Sequence, residues 1–114
     1  MFYITGGQGN PKMSLKLKQM GDQNFEQVAL SRLKFVRRHH SVCVIANRFL
    51  ILTGGERSEK RTESFDTLNN SSHEQPDLNI GRYNHASCSL GSSIYVFGGQ
   101  TSLFEPTGTI EKLV

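Results

Sequence analysis

A chain of 114 residues with a formal charge of +3 and a pI near 9.1 is long enough for one small domain or a piece of one. Its apolar fraction of 36% is low for a compact globule, and no apolar run approaches the roughly 20 residues of a membrane span. No basic region followed by an apolar core opens the chain, so no secretory signal is read, and so mild a positive charge is weak support for nucleic acid or an anionic membrane as partner.

In chain order, the first element is the apolar run Phe2-Tyr3-Ile4-Thr5, closed by Gly6-Gly7. The glycine-rich stretch Gly6-Gly7-Gln8-Gly9-Asn10 lacks the P-loop lysine and the full dinucleotide fingerprint. No helical period follows it, so it reads as a strand end and loop. Leu15-Lys16-Leu17-Lys18 and Phe25-Glu26-Gln27 come next. The segment Arg37-Arg38-His39-His40-Ser41-Val42-Cys43 then leads into a complete unit.

In that unit residues 41–46 are short, β-branched and apolar, and read as a strand. Asn47-Arg48 is the tight turn, and Phe49–Thr53 is the second strand of a hairpin. Gly54-Gly55 ends it where the chain needs backbone angles or a close approach that a side chain forbids. Residues 56–61 form a charged, exposed loop, and Thr62–Asp66 is a third strand. Residues 67–72, with two Asn and two Ser, read as a turn. A short outer strand begins over residues 73–76, and 77–81 cross to the next unit. There Arg82-Tyr83-Asn84-His85-Ala86-Ser87-Cys88 echoes the earlier lead-in, and Ile94-Tyr95-Val96-Phe97-Gly98-Gly99 echoes the earlier strand.

The echo has a period. The Gly-Gly pairs begin at residues 6, 54 and 98, at intervals of 48 and 44. Arg37 and Arg82, His40 and His85, and Cys43 and Cys88 are each 45 apart, and Phe25-Glu26-Gln27 answers His73-Glu74-Gln75 at 48. Such spacing marks a repeat architecture. Four short antiparallel strands per unit, repeated around an axis, make a β-propeller.

His-Ser, a strand, an apolar strand ending in Gly-Gly, then Glu-x-aromatic-Asp resembles the kelch repeat. Glu63-Ser64-Phe65-Asp66 stands where that family usually has Glu-x-Tyr-Asp. The family's Trp, seven residues on, is matched by Phe25 in the first unit and His73 in the second. Leu15-Lys16-Leu17-Lys18 replaces the signature in the first unit, and the third shows only Ile110-Glu111. The expected fold is therefore all-β: an incomplete kelch-type β-propeller with four-stranded antiparallel blades. Residues 1–36 are expected to form a partial blade, 37–81 a full blade and 82–114 a partial blade of one propeller domain. Because a propeller needs roughly four to eight blades, the chain reads as a fragment or truncated gene model of a longer protein. The remaining blades are then partners missing from this chain.

Several clusters carry both a chemical and a structural reading. His39, His40 and Cys43 offer three ligands where structural zinc usually takes four. His40 and His85 recur in the repeat, so a structural role at blade corners is expected, and His73 reads as a packing substitute. The two cysteines read as small buried thiols on a strand face. The sequons at Asn69 and Asn70 read as turn residues. Some kelch propellers are enzymes, including a copper oxidase, but the matching Tyr, His and Cys ligand set is not found, so neither catalysis nor a cofactor is expected.

What the resemblance implies is protein–protein interaction through propeller loops. The arginine before the first strand often contacts acidic ligands in such propellers, a position matched by Arg37 and Arg82. Arg38, Tyr83 and Asn84 lie beside them, with Arg57, Lys60 and Arg61 in a following loop. These are the candidate partner-binding residues, since arginine suits bidentate recognition of carboxylates. Bracing of the turns is the bland alternative. A protein partner with an acidic or hydroxyl-rich motif is expected, in the cytoplasm and without a membrane. RNA binding through the basic loops, or descent from a kelch-type enzyme without its catalysis, are the rival readings.

Overall fold

The computed structural model describes residues 2–6, 14–19, 25–101, 103 and 105–113. Ten strands follow one another: β1 (Phe2–Thr5), β2 (Ser14–Gln19), β3 (Phe25–Ala29), β4 (Ser41–Ile45), β5 (Phe49–Thr53), β6 (Thr62–Asp66), β7 (Ser71–Gln75), β8 (Ala86–Leu90), β9 (Ser93–Phe97) and β10 (Ile110–Leu113). They form three antiparallel sheets, β1-β2-β3, β4-β5-β6-β7 and β8-β9-β10, with every neighbour pair consecutive in the chain. The fold is all-β, as the repeat predicts.

Local chemistry sets the turns. Between β4 and β5 the Arg48 N–H donates to the Ile45 carbonyl at 3.1 Å, with Ala46 and Asn47 both at positive φ, 55° and 51°. That is the primed geometry whose twist suits a hairpin. Between β6 and β7 the Asp66 carboxylate accepts the Leu68 and Asn69 N–H groups at 3.0 and 3.3 Å. Arg48 clamps the same carboxylate with Nε at 2.9 Å and Nη2 at 2.7 Å. The turn so closed needs only residues 67–70, and Ser71 pairs with Asp66 across the sheet. The outer strand therefore starts at Ser71, earlier than the expected residue 73, because the reach of Asp66 tightens the turn.

Strand alternation sends side chains to the two faces of each sheet. On one face of the middle sheet Leu50, Leu52 and Phe65 pack with Leu33, against Tyr3 and Leu30. On the other, Cys43, Ile45 and Ile51 pack against Ile94, Val96, Leu78 and Leu113. The middle sheet is thus covered on both sides, and β6 is buried along its whole length. β8, in the last sheet, is exposed at four of its five residues.

Candidate functional site

The two arginines expected at a partner surface lie inside. Arg37 and Arg82 are both 0% exposed. Arg37 Nε pairs with Glu63 Oε1 at 3.1 Å, and its Nη1 donates to the carbonyls of Gly54 at 2.7 Å and Arg61 at 2.6 Å. Arg82 Nη2 pairs with Glu111 Oε2 at 2.9 Å, while Nη1 donates to the carbonyls of Thr109 at 2.9 Å and Gly98 at 3.2 Å. Each arginine thus ties the Gly-Gly end of the second strand to the start of the third. The expectation that these two contact a ligand is corrected: their guanidinium groups brace the sheets. Burial lowers the Arg37 pKa, and Glu63 opposes that shift.

The partner carboxylates do a second task. Glu63 Oε2 accepts the Lys34 N–H at 2.8 Å and also the Ser72 hydroxyl. Glu111 accepts the Asn79 and Ile80 N–H groups at 2.6 and 3.0 Å. The glutamate of the third strand therefore pins the crossing segment that arrives from the preceding sheet. Ion pairs so buried gain from geometry and supplementary hydrogen bonds what they lose in hydration.

The two constellations are not identical: Arg37 meets its glutamate through Nε, Arg82 through Nη2, and Arg82 Nε donates instead to the Ile80 carbonyl at 3.4 Å. Arg82 Nη2 also donates to the Thr109 hydroxyl at 2.9 Å. In the middle sheet that place is held by Arg61, and Arg37 Nη2 is buried with no hydrogen-bond partner among the described residues. Arg37 and Arg61 instead both lie 5.5 Å from the Phe35 ring.

The histidines join neighbouring sheets. His40 Nε2 meets the Thr5 hydroxyl at 3.0 Å, and His85 Nε2 meets the Thr53 hydroxyl at 2.9 Å. Each imidazole comes from the lead-in of one sheet and each threonine from the last residue before Gly-Gly in the preceding sheet. Burial lowers the pKa of both to about 4, with Arg37 adding to the shift at His40 and Arg82 at His85.

Other expected residues divide between exposed and hidden. Arg38 is half-buried and pairs with Glu56 at 3.2 Å. Tyr83 is buried, its backbone exchanging two 2.9 Å hydrogen bonds with Gln100, so its ring is not offered to a ligand as expected. Asn84 is exposed at φ 52°, and its N–H donates to the His39 carbonyl at 2.8 Å. His39 is likewise exposed at φ 55°, with Nε2 3.7 Å from Glu56 Oε1. Arg57 and Arg61 line a groove of about 620 Å³ with Lys60, Asp77, Asn79 and Glu105. Arg61 pairs there with Asp77 at 3.4 Å, while Arg57 stands exposed at φ 69°.

His39 and Glu56 were missed as candidate surface residues. The signal was present, because His39 stands two residues after Arg37 as Asn84 stands two after Arg82. Two further expectations are corrected. Cys88 is exposed, and only Cys43 is half-buried. His73 is exposed and meets the Ser71 hydroxyl at 3.0 Å, because β7 is the outer edge of its sheet and has no core to fill. Phe25, the other residue expected at that aromatic place, has a side chain outside the described set.

Residues 81–113 match the family model described as the Kelch motif. No curated protein matches the sequence. Among solved structures, the one titled "Structure of YjhT" is similar over 95% of this chain, with a TM-score of 0.77 and 14% sequence identity. This chain spans 38% of that structure's length. At that identity the likeness shows the fold.

Proposed function

We propose that the chain is a kelch-repeat part of a β-propeller and serves protein–protein recognition through the loops that lead into β4 and β8, a reading that the Kelch motif match and the propeller-like fold support. The observation that carries this reading is the division of labour within those loops. Arg37 and Arg82 are consumed inside, while His39 and Asn84, two residues further on, stand exposed in the left-handed backbone region and are joined by a 2.8 Å backbone hydrogen bond. Buried ion pairs hold the backbone rigid, and the exposed side chains are free to differ from one protein to the next.

Arg38, His39, Glu56 and Asn84 offer donors and a protonatable ring beside a single carboxylate, which suits a partner segment with acidic or hydroxyl-bearing side chains. Arg57 adds a cation on the adjoining groove. The role is binding rather than catalysis.

The test uses immobilised peptide arrays of acidic and of Ser/Thr-rich sequences, probed with the chain and its variants. Arg38→Ala and Asn84→Ala are expected to lower capture at least tenfold with an unchanged melting temperature, while Arg37→Ala lowers the melting temperature. Capture that survives the Arg38→Ala/Asn84→Ala pair overturns the assignment of the surface. Capture that follows total salt with a steep slope and is matched by RNA favours the nucleic-acid reading.

A further inference from the structure

The residue that follows Gly-Gly is charged in the middle unit alone. It is Gln8 after the first pair, Glu56 after the second and Gln100 after the third. The last two hold the same backbone place. The Glu56 N–H donates to the Arg38 carbonyl at 2.9 Å, and the Gln100 N–H donates to the Tyr83 carbonyl at 2.9 Å. Tyr83 and Asn84 are the counterparts of Arg38 and His39, 45 residues on. The carboxylate thus stands beside the basic lead-in, and the neutral amide beside the neutral one.

Each oxygen of that carboxylate has a basic partner. Oε2 lies 3.2 Å from Arg38 Nε, and Oε1 lies 3.7 Å from His39 Nε2. The Arg38, His39 and Glu56 side chains are 32%, 39% and 35% exposed, so water reaches both pairs and neither is held strongly. The Glu56 main chain is fixed by its hydrogen bond to Arg38, while its side chain is free to swing into solvent. Asn84 borders the group, with its N–H on the His39 carbonyl at 2.8 Å.

We infer that Glu56 is an internal competitor for the partner's acidic group, so that the surface of Arg38, His39 and Asn84 selects a phosphorylated Ser or Thr side chain over Asp or Glu; this rests on the recognition role proposed above and names its ligand. A partner carboxylate that displaces Glu56 remakes the contacts that Glu56 gives up. The exchange gains no charge contact, while association still costs the partner its freedom of motion. A phosphate monoester carries about −1.5 to −2 charges near pH 7 and offers three acceptor oxygens. It takes the Arg38 guanidinium in a charge-assisted contact and keeps oxygens for His39 and the Asn84 amide. Such a ligand gains more from the two basic groups than Glu56 already does. Glu56 therefore works against the weaker acid, a repulsive element that sets specificity.

The test compares two labelled peptides of one otherwise neutral sequence, with phosphoserine or Glu at the centre. Their affinities for the 114-residue chain and for Glu56→Gln are read by fluorescence anisotropy. The unaltered chain is expected to prefer the phosphopeptide by at least about tenfold. In Glu56→Gln the Glu peptide is expected to gain most, so that the preference shrinks to about threefold or less. Gln holds the same backbone place beside Tyr83, so the melting temperature of the variant should stay within about 3 °C of the unaltered chain. Arg38→Ala should weaken both peptides. Equal binding of the two peptides by the unaltered chain overturns the inference. So does a preference unchanged by Glu56→Gln while Arg38→Ala still abolishes capture, a result that leaves the recognition surface standing. Binding of neither peptide by either form overturns the inference and the recognition role together. A short single-stranded RNA bound as tightly as the phosphopeptide assigns the surface to a nucleic-acid backbone and overturns the inference as well.

Discussion

Arg37, Glu63 and Arg61 show how much one position decides. Arg37 and Glu63 form a pair with both side chains fully buried, so removing either leaves the other charged and unpaired. Glu63→Ala is expected to cost about 3–5 kcal/mol in urea denaturation. Asp66 is a contrast: Arg48 holds its carboxyl far below the usual carboxylate range, yet the Arg48 side chain is 38% exposed. The fault in the middle blade is Arg37 Nη2, which lacks the hydroxyl that Thr109 gives Arg82. Arg61→Thr should supply it and raise stability by roughly 0.5–1 kcal/mol, a typical net hydrogen bond. The ion pairs lost with Arg61 are exposed and contribute little. A denaturation midpoint unchanged or lowered in Arg61→Thr shows that the hydroxyl does not reach Nη2.

At the scale of the element, turns and clasps carry the predictions. Ala46 sits at φ 55°, a region that costs an L-residue other than Asn or Gly about 1 kcal/mol. Ala46→Asn is expected to recover about 0.5–1 kcal/mol, read as a rise in melting temperature, because Asn suits the first place of a primed turn. The clasps between blades bring a pH dependence. His40 and His85 titrate at about 4 in the folded chain, against about 6.5 when unfolded. Between those values the unfolded chain binds more protons than the folded one. Stability is therefore full above about pH 6.5 and drains as the pH falls toward 4. Urea midpoints measured at pH 7.5, 6 and 5 should decline in that order, and His40→Gln with His85→Gln should flatten the slope. Asp66 does not confuse the test, because its depressed pKa acts below about pH 4.

At the scale of the whole molecule, burial differs between the middle sheet and the last. β6 is buried throughout and lies in the sheet packed on both faces, whereas β8 and β10 belong to the sheet with one open face. Opening free energies follow the local density of buried apolar contacts. Native-state hydrogen exchange should find slower amides in β5 and β6 than in β8 and β10. Equal protection in the middle and last sheets refutes this gradient. The uncovered strand edges are also sites where the isolated chain is expected to self-associate.

How much of this was legible without coordinates differs by residue. The Gly-Gly periodicity, the short apolar runs of β4, β5 and β9 and the turn chemistry of Asn69 and Asn70 are local signals, and they determined the all-β repeat and its three-, four- and three-stranded sheets. Strand periodicity and backbone sterics act within a few residues, so sequence alone reports them. The roles of Arg37 and Arg82 were not legible, because their burial depends on glutamates that arrive from a strand 26 and 29 residues away. The same holds for His40 and His85, whose threonine partners lie 35 and 32 residues upstream in another sheet. A charged side chain before a strand looks alike in sequence whether it faces water or a carboxylate. Only the tertiary structure, by bringing Glu63 and Glu111 within hydrogen-bond reach, turned two expected ligand contacts into braces and left His39 and Asn84 on the surface in their place.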